Sequence, residues 1–344
     1  MASVFDRELL VVSGKGGVGK TTLAAALGML AADRGLRTIV VEVGEQARLP
    51  ALFQDSARAP EESPQAGVET QLAPELWSLS LDPDRALLEW LQSLGGRVSG
   101  RVLASSGTFQ YFAAAAPGAR ELVSMVKIWE LTRGRRRRGR GHGYDLVVLD
   151  APATGHALGL LDSPRTFGAI ARVGPIAAQA ERLRELLEDP ERSDYLAVAQ
   201  GTELAVTETL ELQERLNEQL GRDLRMVIVN GMLPQRFNAP ELRALEELLA
   251  GPADPAITPR ARAGSTGAGG SDSRAGSRPA AETKLIGSAL AAAEAVSERA
   301  RSQHNQLSRL RRRKFEVVGV PFQFSAALDL AAVRRIADQL KRKL

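Results

Sequence analysis

The chain has no cysteine. Disulfides, thiolate nucleophiles, iron–sulfur clusters and cysteine-built zinc sites are therefore excluded. It also lacks any uninterrupted apolar run near the roughly 20 residues that a membrane-spanning helix needs. Its first residues, MASVFDRELL, carry no basic segment followed by an apolar stretch, so no secretion signal is visible and a cytoplasmic location is expected. No internal repeat is apparent. The net charge is only +4, so local arginine clusters matter more than the sum. What is present is ordinary for a globular chain: 44% hydrophobic and 25% charged over 344 residues, enough for one large α/β domain or two smaller ones.

The apolar run LLVVSG (8–13) reads as a short buried strand, and the Gly-rich loop after it leads into a helix over about 20–34 that Gly35 is placed to end. TIVVEV (38–43) is a second strand, continuous enough to be buried on both faces. Strand, loop, helix and strand in this order imply a parallel sheet with a crossover connection. DLVVL (145–149), Met226–Val229 and Phe315–Val320 are further strands, and a helix closes the chain over about 326–343. Helical patterning dominates 83–132 and 164–219, which are expected to form a helical subdomain. Residues 54–75 read as a loop. The Arg/Gly run 133–143 and the Gly/Ala/Ser/Arg-rich segment 258–283 are expected to be disordered.

GKGGVGKTT (Gly14–Thr22) carries the chemistry. Gly14, Gly16, Gly17 and Gly19 let the backbone around Lys15 and Val18 fold tightly, so that N–H groups converge on phosphate oxygens beside the positive end of the next helix. Lys20 is placed to reach the β- and γ-phosphates and the Thr21 hydroxyl to ligate Mg²⁺, with Thr22 completing the loop. ATP and Mg²⁺ are the expected ligands. The second lysine, Lys15, is more than a nucleotide loop requires.

That extra lysine makes the loop resemble the deviant phosphate loop of a group of dimeric ATPases, and DAPATGHAL (150–158) resembles a segment of one branch, the ArsA-like ATPases, which include arsenite-pump ATPases and tail-anchored-protein targeting factors. PGARELVSMVKIWEL (117–131), MVIVNGMLP (226–234) and VPFQ (320–323) are similar to further segments of that family. The resemblance implies a doubly wound, mostly parallel α/β sheet flanked by helices, with a helical subdomain inserted after the second strand, as one domain over 1–344. It implies that Lys15 acts across a dimer interface on the partner's nucleotide, as an arginine finger does. It implies that Asp150 orients Mg²⁺ through a water, that Thr154, Gly155 and His156 form the second switch, and that Asn230 and Pro321 lie beside the adenine.

Two departures stand out. The family's first switch reads DPAxN, its Asp positioning the attacking water, whereas here Gly44 stands at that place, flanked by Glu42 and Glu45. Either glutamate could substitute, or hydrolysis is slow. The missing cysteines remove both thiolate-bound arsenite and a zinc clamp between subunits.

The resulting expectation is a dimeric ATPase whose nucleotide-driven closure acts on a protein client, with a hydrophobic or membrane-associated client among the candidates. The dimer is either a homodimer or a heterodimer with a paralogue. Leu87, Leu88, Trp90, Leu91, Phe109, Tyr111, Phe112, Met125, Ile128 and Trp129 could line a client groove, although an apolar stripe at helical spacing is more often core. Two alternatives remain: a weakly hydrolysing switch or scaffold paired with a paralogous subunit, and a MinD-like membrane-surface ATPase. Nucleic acid is not expected as a partner, because no aromatic residues interleave the arginine runs.

Overall fold

The computed structural model describes residues 3–44, 47–53, 66–94, 118–133, 143–170, 175–237, 239–250, 280–325 and 328–344. The chain divides into two units, one of Met1–Met232 with Asn305–Leu344 and a smaller one of Leu233–His304. The sequence reading treats 1–344 as one domain.

The larger unit is built on eight strands: β1 (Leu9–Ser13), β2 (Thr38–Val43), β3 (Thr70–Ala73), β4 (Leu76–Leu81), β5 (Leu146–Asp150), β6 (Ser193–Gln200), β7 (Met226–Met232) and β8 (Glu316–Pro321). They lie in the order β3-β4-β2-β5-β1-β6-β7-β8, and every pairing is parallel except β3 with β4. The carboxyl ends of β1, β2, β5, β6 and β7 therefore share one edge, where open α/β sheets bind ligands.

Successive side chains of a strand point to opposite faces, and both faces of this sheet are apolar. Leu9, Val11, Val147 and Leu149 belong to one buried cluster, whereas Leu10, Val12, Leu146 and Val148 belong to the other. Helices cover both. On the first face lie α3 (Pro83–Leu94), α4 (Ala119–Thr132), α5 (Thr154–Ile170), α6 (Pro175–Glu188) and α7 (Glu203–Leu220). On the second lie α1 (Lys20–Ala32), the short α2 (Leu49–Phe53) and the C-terminal α10 (Leu330–Lys341).

The smaller unit contains α8 (Ala239–Ala250) and most of the long α9 (Ala280–Arg311), whose Ala293 and Ala300 are buried. Residues 280–283, expected to be disordered, form the first turn of α9, while 258–279 and 134–142 lie outside the described residues.

Two further corrections concern strands. Residues 70–73, read as loop, form edge strand β3, whose partner β4 was also not anticipated. A strand, β6, runs through the middle of 164–219, which reads as helical. Its sequence SDYLAVAQ holds alanines where a strand usually shows β-branched residues, so local propensity pointed the wrong way and burial between β1 and β7 decided the outcome.

The supposed client groove is largely core where it is described. Leu87, Met125 and Ile128 are buried, and Trp90 and Trp129 pack against the same cluster. Phe109, Tyr111 and Phe112 lie outside the described residues, as do the side chains of Leu88 and Leu91. The apolar stripe of α10 is likewise used internally: Val333, Ile336 and Leu340 are buried, and the helix packs on α1. No helix among the described residues is long and apolar enough to cross a membrane.

Candidate active site

The loop after β1 and the start of α1 form the floor of the site. Gly14 has φ +146°, and a Cβ there would run into the backbone carbonyl of Val198 on the adjoining β6, so only glycine lets the two strands keep this approach. No side chain caps α1, because its N-cap is Gly19. The first-turn N–H groups are thus left to an external anion. A cavity of about 740 Å³ opens there, lined by Gly16, Gly17, Gly19, Lys20, Thr21 and Thr22 from this loop, by Glu42 near the end of β2 with Gly44 and Arg48 beyond it, and by Asp150 at the end of β5 with Ala151 to Ala153 after it.

Lys20 and Thr21 face this cavity. Lys20 Nζ donates to the carbonyls of Gly14 (3.0 Å) and Lys15 (2.9 Å), curled onto its own loop. Burial lowers its pKa, partly offset by the charge of Asp150. The Thr21 hydroxyl donates to Asp150 Oδ2 at 2.6 Å. The other oxygen, Oδ1, is buried without a hydrogen-bond partner. An orphaned carboxylate oxygen beside a threonine hydroxyl fits a hard divalent cation or a water held by one, so the residues suit Mg²⁺. Burial pushes Asp150 up to about 6, with Thr21, Lys20 and Arg48 pulling it back.

Glu42 pairs with Asp150 across β2 and β5, which puts two carboxyl groups at one sheet edge. Burial chiefly raises it, to about 7. Its carboxylate does not point free into the cavity: it accepts the N–H of Leu49 (3.0 Å) and of Arg48 (3.1 and 3.3 Å). It holds the backbone entering α2. Glu45 lies outside the described residues. Gly44 has φ +152°, donates its N–H to the Leu81 carbonyl, and accepts the Ser80 hydroxyl on its own carbonyl (3.0 Å).

Lys15 turns the other way. Its Nζ sits 2.7 Å from Glu208 Oε1 on α7. The pair borders a second cavity of about 330 Å³, shared with Gly16, Ala153, Thr154 and Gly155. Thr154, Gly155 and His156 make the first turn of α5, with His156 and Gly155 exposed and the Thr154 hydroxyl buried without a partner. Thr154 and Gly155, two of the three residues expected to form a second switch, thus share a cavity with Lys15 and do not line the larger one beside Lys20. Asn230, half-buried after the buried run Met226–Val229 of β7, donates its amide Nδ2 to the Val18 carbonyl (2.9 Å), which ties β7 directly to the phosphate loop. Pro321 closes β8, opposite Met232 of β7.

Two members of the site escaped the sequence reading. Arg48 had a usable signal, as a lone cation between Gly44 and α2. Glu208 had none, being one glutamate among several on α7.

A parallel sheet with a GxxxxGKT loop after its first strand, and a threonine of that loop paired to an aspartate at the end of the neighbouring strand, defines a P-loop ATPase. The family described as "Anion-transporting ATPase" matches residues 7–174. ATPase BagA of Mycobacterium tuberculosis (strain ATCC 25618 / H37Rv) is 32% identical over 243 residues, covering 70% of this chain and 69% of that protein. ATPase GET3C of Arabidopsis thaliana is 24% identical over 276 residues, 68% of this chain and 69% of that one. ATPase ASNA1 homolog 1 of Paramecium tetraurelia is 30% identical over 155 residues, 45% and 43% of the two chains. The chain belongs to the ArsA-like, anion-transporting ATPase family.

Proposed function

We propose that the protein binds Mg²⁺–ATP at Gly14–Thr22 and hydrolyses it as a dimer, coupling nucleotide-dependent closure to a protein client that is hydrophobic or membrane-associated. The observation that carries this reading is the Thr21–Asp150 contact, with its orphaned Oδ1, at the mouth of an uncapped α1. In this reading the first-turn N–H groups and Lys20 bind the phosphates, and Thr21 and Asp150 hold Mg²⁺. The ion would neutralise charge between the β- and γ-phosphates. Lys15 leaves Glu208 and acts on the partner's γ-phosphate. Thr154, Gly155 and His156 report the presence of that phosphate to α5, while Asn230 and Pro321 flank the base.

A second reading is favoured by one observation: Glu42 is turned onto the backbone N–H groups of Arg48 and Leu49, chiefly through Oε2, and so holds the chain entering α2 and is not directed at a water in the cavity. The chain would then be a slow nucleotide switch, paired with a paralogue that keeps an aspartate in its first switch. Steady-state phosphate release by wild type and Lys15→Ala separates the two. Hydrolysis by wild type that is lost in Lys15→Ala supports the dimeric ATPase. Tight ATP binding with no phosphate release by the isolated chain supports the switch. Failure to bind ATP at all would sink both.

A further inference from the structure

The first switch of this chain lacks the expected acid, yet one charged side chain of that loop does border the phosphate cavity. Arg48 lies between β2 and α2 and lines the same cavity as Lys20, Thr21 and Asp150. Among the described residues its guanidinium makes no hydrogen bond and no ion pair within 4.0 Å, and the residue is exposed. Its charge nevertheless acts on both carboxyl groups of the site, drawing Glu42 and Asp150 back toward their ordinary range. A cation held near two carboxylates without being locked to either is available to an entering polyanion.

The backbone beneath it is fixed. Glu42 accepts the N–H of Arg48 itself and that of Leu49, and Leu49 is fully buried beside α1. The root of the arginine is thus anchored while its head is free. Gly44, four residues earlier, is held by Leu81 and Ser80 at the end of β4. Among the described residues of the loop, Arg48 is the charged group that lines the cavity, and its guanidinium is a planar, permanently charged fork suited to phosphate oxygens.

We propose that Arg48 is a catalytic residue that contacts the γ-phosphate of the nucleotide bound by its own subunit, and that Glu42 is the positioning residue that sets it. This rests on the reading of Gly14–Thr22 as an ATP site. The first switch then contributes positive charge to the transferred phosphoryl group instead of a carboxylate to the attacking water. Stabilising that charge is the larger part of phosphoryl-transfer catalysis, so the substitution changes which half of the reaction the loop serves.

The proposal separates ATP from ADP, because ADP has no γ-phosphate to contact. The test is fluorescence anisotropy with N-methylanthraniloyl-ATP and N-methylanthraniloyl-ADP, in the presence of Mg²⁺, on the full chain and its variants. Arg48→Ala is expected to weaken ATP binding at least about tenfold while ADP moves less than about twofold. Arg48→Lys, a point charge on a flexible stem, should fall between. Glu42→Ala should reproduce the ATP-selective loss, and Glu42→Gln, which keeps an acceptor for the Leu49 N–H, should largely restore wild-type behaviour. Equal losses for ATP and ADP, or no loss in Arg48→Ala, would overturn the assignment of Arg48. Equal losses in Glu42→Ala alone would reduce Glu42 to a structural role and overturn its positioning part. A wild-type chain that binds neither probe would sink the ATP-site reading itself, which is a different result from wild-type binding left intact by Arg48→Ala.

Discussion

Glu208 offers the most direct test of how Lys15 works. In the chain by itself, Lys15 Nζ sits 2.7 Å from Glu208 Oε1, with the two side chains 35% and 30% exposed. If Lys15 must cross to a partner's nucleotide, that pair has to break once in each protomer. A partly exposed ion pair contributes about 0.2–1 kcal/mol, and a central value of about 0.5 kcal/mol suits this exposure. Two pairs per dimer make about 1 kcal/mol, or roughly a fivefold change in the dimer dissociation constant. Glu208→Gln should therefore tighten the ATP-bound dimer about fivefold, and added salt should shrink the difference by screening the pair. Sedimentation velocity with a slowly hydrolysed ATP analogue measures this. The double variant with Lys15→Ala is the control: on a Lys15→Ala background the Glu208 change should have no further effect. A Glu208→Gln dimer no tighter than wild type would refute the idea that this contact restrains Lys15. So would the same shift on the Lys15→Ala background.

Other outcomes follow from single contacts. Lys20→Ala removes the cation beneath the phosphates and should lower ATP affinity by about a hundredfold or more, read by isothermal titration calorimetry, with the melting temperature little changed. Glu42 is held near 7 by burial, above the ordinary glutamate range, so its protonated form is favoured in the folded state. Its stabilising contribution is present in full below the unfolded-state range and is lost as pH rises through about 7. Glu42→Gln, neutral throughout, should thus be more stable than wild type by about 1–3 kcal/mol near pH 8 but no more stable near pH 4, below the unfolded-state value, with Asp150, Arg48 and Lys20 unchanged around it. Urea unfolding at both pH values checks this, and a difference independent of pH would contradict it. Leu340 is fully buried against α1, so Leu340→Ala should cost about 2–5 kcal/mol in the same assay, whereas a neutral outcome would reopen α10 as a free amphipathic surface.

How much of this was legible depended on how local each feature is. The strands β1, β2 and β5 announced themselves because each is a continuous Leu/Val/Ile run, the pattern that burial on both faces demands. β4 did not, because Ser78 and Ser80 are buried among its leucines and make LWSLSL read as half-polar. The phosphate loop was readable because all its groups lie within nine consecutive residues. Thr21 and Asp150 were readable as separate motifs, yet nothing in either says that they meet at 2.6 Å. Lys15 and Glu208 are 193 residues apart, and only the fold brings α7 beside the loop. Glu42 stands out in the sequence as a possible stand-in for the missing aspartate and it does line the cavity, but its bonds to the Arg48 and Leu49 N–H groups are not legible there. Whether a carboxylate faces water or backbone is a matter of a few ångströms, and spacing does not carry that information.

Gly44 shows why restoring the family's aspartate would not be a one-residue repair. Its φ of +152° lies where L side chains rarely go, and both of its backbone polar groups are taken, by Leu81 and Ser80. An aspartate there would have to drag the chain out of that conformation and break at least one of those bonds. Glu42 could not follow, since its oxygens hold Arg48 and Leu49 from the other side. The loop is therefore a consistent alternative and not a damaged copy: a glycine to make the turn, a buried glutamate to cap the backbone beyond it, and an arginine that lines the cavity and acts on the carboxyl groups of Glu42 and Asp150. A first switch built this way is suited to sensing and neutralising a γ-phosphate. In that reading the task of aligning water is left to a group other than Gly44, Glu42 and Arg48, described residues of this stretch that line the cavity.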